Sequence, residues 1–117
     1  MKREVIDFIN DIIDAAGKVE KFTKGMTYED FCRDDKTVFA VIRAIEVIGE
    51  AVKNIPDEIR NSYPEIPWKS MAGMRNKVIH QYFGVDLKVV WETVKLRIPE
   101  IKPQFEKILK NLQEGES

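Results

Sequence analysis

The chain has few of the residues and patterns that disulfides, metal centres and membrane spans require. Its 117 residues include one cysteine and one histidine, so no disulfide can form within the chain, and a zinc site, which is built mainly from these residue types, is not indicated. No apolar run approaches the roughly 20 residues that cross a bilayer. Glycine-rich phosphate loops and serine-nucleophile motifs are also missing. We therefore expect no metal, no cofactor and no membrane contact, and the single Cys32 suggests a reducing cytoplasm.

The charges are numerous but balanced. Lysine and arginine number 19 against 20 acidic residues, which gives a net charge of -1, and 44% of the residues are hydrophobic. These values are typical of one soluble globular domain. Dedicated nucleic-acid binders are usually strongly basic, whereas this chain has a pI of about 5.9. We therefore expect no DNA partner, and any contact with RNA should be local.

Apolar residues recur at three- and four-residue steps along nearly the whole chain, and no alternating pattern is long enough for a sheet. Gly25 is expected to stop the first helix, Thr27 and Asp30 to form a capping box, and Gly84 to cap the third long helix. Pro99 is expected to kink or break the last helical stretch. The predicted helices span residues 2–24, 34–54, 56–61, 68–83, 87–96 and 100–112.

These elements predict an all-α fold. Because the connections are short, we expect an antiparallel up-and-down bundle of about four main helices. Residues 1–113 should form one domain, followed by a frayed tail over residues 114–117. Cys32 has no partner cysteine and no nearby histidine, and we expect it to be a buried small apolar group.

The most distinctive segment, residues 75–82, reads RNKVIHQY and holds the only histidine. Arg75 supplies a fixed cation, His80 a group that titrates near neutral pH, and Tyr82 a phenol. No acidic residue occurs between positions 67 and 82, so the positive potential here is local rather than a property of the whole chain. Such a set suits phosphate chemistry. Two further cations of the segment, predicted to bind substrate, are Lys69 and Lys77.

The side chains of this segment do not share one face of an ideal helix. Asn76 and His80 are four residues apart and lie together, whereas Arg75 and Tyr82 lie beside a different stripe. About 140° separate Arg75 from His80. The stripe that should face the core comprises Met71, Met74, Val78 and Ile79.

Two arrangements could bring Arg75 and His80 together. The helix could unwind before Gly84, or a second chain could place its own copy alongside. The small residues Ala72 and Gly73 on the polar face would permit close approach of another backbone. They favour the second arrangement, a two-fold homodimer with a composite site.

Each of these residues also has an ordinary structural interpretation. His80 could be a surface or satisfied core histidine, and Tyr82 a half-buried core tyrosine. Arg75 could be a salt-bridge partner of Glu46 or Glu50 on the second long helix. The sequence pattern alone leaves both interpretations open.

Segment 75–82 and its flanks resemble HEPN-domain proteins of the HepT-like group. The motif of that group is arginine, a polar residue, three further residues, histidine, one residue and tyrosine. This sequence matches it without departure at Arg75, Asn76, His80 and Tyr82. The likeness covers nearly the whole chain, and its flanking parts are residues 66–68, 73–76, 80–87 and 43–51.

The resemblance implies a HEPN-like helical fold and a toxin of a type VII-like toxin–antitoxin pair. HEPN relatives are metal-independent endoribonucleases that act as dimers. The implied catalytic residues are Arg75, Asn76 and His80. The implied antitoxin is a small MNT-type nucleotidyltransferase that attaches AMP to Tyr82 and thereby silences the toxin.

A second class of function stays open at this point. The protein could be a non-catalytic helical dimer that binds a nucleotidyltransferase and receives its modification. Intact motif residues do not by themselves demonstrate turnover.

Overall fold

The computed structural model of the chain describes residues 2–74 and 86–115, and the side chains of residues 5–74 and 86–115. Every regular element in these ranges is helical, so the predicted all-α class is confirmed. None of the described helices is long and apolar enough to cross a membrane. The elements are α1 (Lys2–Thr23), α2 (Tyr28–Arg33), α3 (Asp35–Lys53), α4 (Asp57–Ser62), α5 (residues 68–74), α6 (Leu87–Glu92), a π-helical turn (Thr93–Arg97) and α7 (Ile98–Gly115).

Three long helices form the core of the bundle. α1 packs against both α3 and α7, and each helix turns one apolar stripe inward, as the three- and four-residue spacing predicts. Full burial of one aliphatic or aromatic side chain contributes about 1.5–3 kcal/mol. The fully buried side chains of these three helices include Ile9, Ile12, Val19, Val41, Ile45, Ile48, Ile101, Phe105 and Ile108.

The predicted helix ends between α1 and α3 are confirmed. Gly25 has φ 77°, a left-handed conformation that glycine adopts without a steric cost. The backbone N–H of Asp30 donates to Thr27 Oγ1, and that of Thr27 donates to Asp30 Oδ2, each at 3.1 Å. Asp34 caps α3 by accepting from the Thr37 backbone at 3.0 Å and the Thr37 hydroxyl at 2.8 Å. These bonds to Thr37 lower the pKa of the Asp34 carboxyl.

Two expectations about the shorter elements need correction. Pro56 precedes α4 as its N-cap, with φ -64° and ψ 152°, instead of lying in its first turn. Cys32 is partly exposed rather than buried. Phe31 is the residue of α2 that is fully buried, and the next position on a helix points about 100° away.

The predicted break at Pro99 does not occur. The chain stays helical from Leu87 to Gly115, so the tail predicted to fray from residue 114 is helical through Gly115. A proline has no N–H to donate, and its ring collides with the carbonyl four residues earlier in an α-helix. The π-helical turn shifts the hydrogen-bond register just before this point, because the Ile98 N–H donates to the Thr93 carbonyl five positions back.

Trp68 fixes the start of α5. Its side chain is 8% exposed, its Nε1 donates to the Tyr63 carbonyl at 2.9 Å, and its ring meets Phe105 edge-on with centroids 5.5 Å apart. Arg60 lies 6.0 Å from the centroid of the Trp68 ring and donates from Nη2 to the Val52 carbonyl at 2.7 Å. The stiff connector before α5 is therefore tied to both α3 and α7.

We predict that Trp68→Phe lowers the free energy of unfolding by about 1–2 kcal/mol, because the Tyr63 carbonyl loses its indole donor. Trp91→Phe is the matched control. The Trp91 ring also packs on an aromatic side chain, with its centroid 5.1 Å from that of Phe31, but its indole donates no hydrogen bond within the described residues. Urea denaturation of both variants measures the difference. Equal losses would mean that ring size, and not the Trp68 hydrogen bond, holds the connector.

Candidate functional site

The structure describes the approach to the predicted site. Lys69 lies on α5 and is exposed. The other predicted site residues are outside the described residues, and their roles stay predictions: Arg75, Asn76, Lys77, His80 and Tyr82.

The orientation of α5 agrees with the prediction that Met71 and Met74 face the core. Met71 and Met74 are 1% and 7% exposed, which confirms the two described members of that stripe. Lys69, Ser70 and Gly73 are exposed on the other side of the helix. α5 therefore presents a polar face up to residue 74, directly before the RNKVIHQY segment.

This polar face forms one wall of a cleft of about 270 Å³. The opposite wall is the stretch that contains α6 and the π-helical turn, and we call the space between them the α5/π cleft. Among the described residues, it is lined by Lys69, Ser70, Gly73, Met74, Val89, Thr93 and Arg97. The lining includes one cation from each wall and no carboxylate.

Neither of the two cations of the cleft forms a strong ion pair with a described residue. Lys69 makes no ion pair within residues 2–74 and 86–115. Arg97 Nη1 lies 3.9 Å from Glu100 Oε1, and the two side chains are 45% and 52% exposed. An exposed pair at this distance contributes little. Both cations can therefore contact an anion that enters the cleft.

The two hydroxyl groups of the cleft differ in their capacity to donate a hydrogen bond to a ligand. The Thr93 hydroxyl donates to the Val89 carbonyl at 3.0 Å, so it is left with acceptor capacity only. The Ser70 hydroxyl is on the exposed face of α5 and can donate to an incoming oxygen. The described lining of the cleft therefore offers an anion two cations and one hydroxyl donor.

Sequence reasoning identified Lys69 but missed Arg97 and Thr93. The two missed residues are four positions apart, a spacing that indicates a shared helical face. That signal carries no information about which other helix the face meets. Only the packing of the two walls brings Arg97 to the same cleft as Lys69.

The comparison with protein families decides the classification. The family model described as "Ribonuclease HepT-like" matches residues 12–108, which include the complete RNKVIHQY segment and both walls of the cleft. The chain belongs to the HepT-like ribonuclease family.

Two curated relatives of this HepT-like chain match it over nearly their whole lengths. "Putative RNase MJ0125" of Methanocaldococcus jannaschii is 56% identical over 113 residues, which cover 97% of each chain. "Probable ribonuclease HepT" of Thermococcus cleftensis is 54% identical over 110 residues, which cover 94% of this chain and all of the relative. No solved structure matches the chain. The resemblance to the HepT-like group that the motif indicated is thus confirmed.

Gly73 lies on the wall of the cleft, two residues before the motif arginine. Apart from the neighbouring backbone of α5, a Cβ atom built at this position would meet none of the described atoms within 4 Å. The packing around α5 therefore does not require a glycine here. A larger residue could extend into the cleft.

We predict that Gly73→Ala raises the free energy of unfolding by about 1 kcal/mol, because alanine favours the helix and the added methyl meets open space. Gly25→Ala is the control with the opposite sign. Its φ of +77° is strained for alanine, and we expect a loss of about 1 kcal/mol. Urea denaturation of both variants measures the two changes. The expected gain would place any contact between two copies of the chain away from Gly73, whereas a loss of stability in Gly73→Ala would mean that the backbone of a second copy packs on this face.

Proposed function

We propose that this HepT-like protein is a metal-independent endoribonuclease and the toxin of a type VII-like toxin–antitoxin pair. The observation that carries the proposal is the family match over residues 12–108, within which the complete motif follows directly on a cationic cleft. The RNase names of the relatives from Methanocaldococcus and Thermococcus support the same activity. The proposed cellular location is the cytoplasm.

The motif residues supply the groups that RNA cleavage without a metal needs. A base removes the proton of the ribose 2′-hydroxyl, the 2′-oxygen attacks phosphorus, and the bond to the 5′-oxygen breaks as that oxygen takes a proton. The products are a 2′,3′-cyclic phosphate and a 5′-hydroxyl. His80 is proposed as the general base or acid. Arg75 holds the phosphate through two N–H donors and stabilises the developing charge, and Asn76 orients His80 or the phosphate.

We propose that the site is shared between two copies of the chain. The separation of about 140° between Arg75 and His80 on an ideal helix prevents one straight helix from completing the site. A two-fold homodimer brings a second motif alongside. Two copies of His80 can then divide the base and acid roles, although they form one coupled pair of titrating groups.

Modification of Tyr82 is proposed as the means of silencing. An MNT-type nucleotidyltransferase would transfer AMP from ATP to the Tyr82 oxygen and release pyrophosphate. The bound adenylate adds bulk and a negative phosphodiester next to the motif. It would occupy Arg75 and exclude RNA both sterically and electrostatically.

We predict that His80→Ala and Arg75→Ala each reduce RNA cleavage at least about 100-fold, because each removes a group that acts in the transition state. The assay uses purified protein in the presence of EDTA, and Arg33→Ala, which removes an exposed arginine of α2, is the charge-matched control. Cleavage that persists undiminished in both motif variants rejects the catalytic assignment. A pure wild-type protein that cleaves no RNA would favour the alternative, a binding partner and modification substrate.

We predict that co-expression with the proposed MNT-type nucleotidyltransferase adds adenylate-sized increments to the intact mass, and that Tyr82→Phe abolishes them because the acceptor oxygen is lost. Tyr28→Phe removes a different, partly exposed phenol and should leave the increments unchanged. Increments that remain in Tyr82→Phe would place the modification on another residue.

A further inference from the structure

We propose that the α5/π cleft is a phosphate-binding subsite for single-stranded RNA. In this subsite Lys69 and Arg97 hold one backbone phosphodiester that neighbours the scissile linkage. The inference rests on the proposed ribonuclease function and names the residues that position its substrate. Lys69, Ser70 and Arg97 all lie in the part of the chain that the structure describes.

The shape and charge of the cleft fit one phosphodiester group. A volume of about 270 Å³ admits a phosphate with part of its hydration but not a paired base step. One cation stands on each wall, and the described lining contains no carboxylate to repel an anion. The guanidinium of Arg97 can grip two phosphate oxygens through parallel N–H donors, whereas the ammonium of Lys69 acts as a point charge. Ser70 adds a hydroxyl donor beside Lys69.

The neighbouring cations on the same helical stretch are placed differently. Lys95, two positions before Arg97, lies with Nζ 4.7 Å from the centroid of the Trp91 ring, and it does not line the cleft. Arg97 has only the 3.9 Å contact with Glu100. An anion that replaces this exposed contact loses little. Of these two cations, Arg97 lines the cleft and Lys95 does not.

Thr93 and Arg97 both belong to the π-helical turn, and both line the cleft. The first residue of the turn, Thr93, is 8% exposed and satisfies its hydroxyl proton on the Val89 carbonyl. Thr93 therefore shapes the floor of the cleft without competing as a donor. Arg97 ends the same turn at the rim, where its side chain is exposed. The side chains of the cleft that can donate to a bound anion are therefore Arg97, Lys69 and Ser70.

The position of the cleft connects it to the motif. Met74 lines the cleft, and the motif begins at the next residue, Arg75. Contacts to a backbone phosphate fix the register of a nucleic acid but carry no sequence information. The subsite should therefore set affinity and its salt dependence for RNA of any sequence. It should leave the chemical step at the scissile phosphate largely unchanged.

The test measures binding of fluorescein-labelled dodecauridylate by anisotropy, with full-length protein in a His80→Ala background so that the probe stays intact. We expect Arg97→Gln and Lys69→Gln each to weaken binding roughly fivefold at low salt. Because both side chains hold the same phosphate, the double variant should reduce the slope of log K against log salt by about 0.7, the value for one phosphate contact with a single strand. Lys95→Gln removes the same charge two residues from Arg97, and it should change affinity less than twofold.

Equal weakening by Lys95→Gln and Arg97→Gln would overturn the subsite, since only net charge would then matter. Unchanged affinity in Arg97→Gln would overturn it as well. Arg97→Lys keeps the charge and should retain most of the binding, and thermal unfolding of each variant excludes a folding defect.

Cleavage kinetics, measured with His80 intact, test the subsite and the nuclease activity separately. A raised KM with little change in kcat for Arg97→Gln supports both proposals. An unchanged KM overturns the subsite and leaves the nuclease in place. Cleft-dependent binding by a wild type that cleaves no RNA overturns the nuclease and leaves the subsite in place.

Discussion

The packing of Trp68 determines how α5 lies against the core up to residue 74. Its indole is fixed by a hydrogen bond to the Tyr63 carbonyl and an edge-on contact with Phe105. With the ring held in this way, Met71 and Met74 follow it into the core at helical spacing. The polar face of α5 must then point away from the core. Hydrophobic packing of its neighbours on α5 thus positions Lys69 on the exposed face of the helix.

A second constraint comes from proline. Pro99 cannot continue an α-helical hydrogen-bond ladder, and the chain responds with a π-helical turn in place of a break. Single π-helical turns are frequent at functional sites, because they re-aim the side chains that they contain. Thr93 and Arg97 of this turn line the cleft on the side opposite α5. The turn that precedes the proline is therefore also part of the second wall of the cleft.

Together the two walls suggest a division of labour in this member of the HepT-like ribonuclease family. The motif carries the groups that can move protons and stabilise a phosphorane, with His80 foremost. The cleft carries two cations that are suited to hold a phosphate. With a net charge of -1, the protein has no general attraction for RNA. Local cations next to the motif would thus supply most of the electrostatic contribution to substrate binding.

The sequence by itself determined the helical class, the helix ends between α1 and α3, and the capping box of Thr27 and Asp30. It also determined the family, through the motif that begins at Arg75. These features depend on residues within a few positions of each other, since helical periodicity and capping bonds are local. Only the tertiary structure decided that the helix runs through Pro99 and that Arg97 shares a cleft with Lys69. Such pairings depend on how the faces of distant helices pack, and local spacing does not encode that.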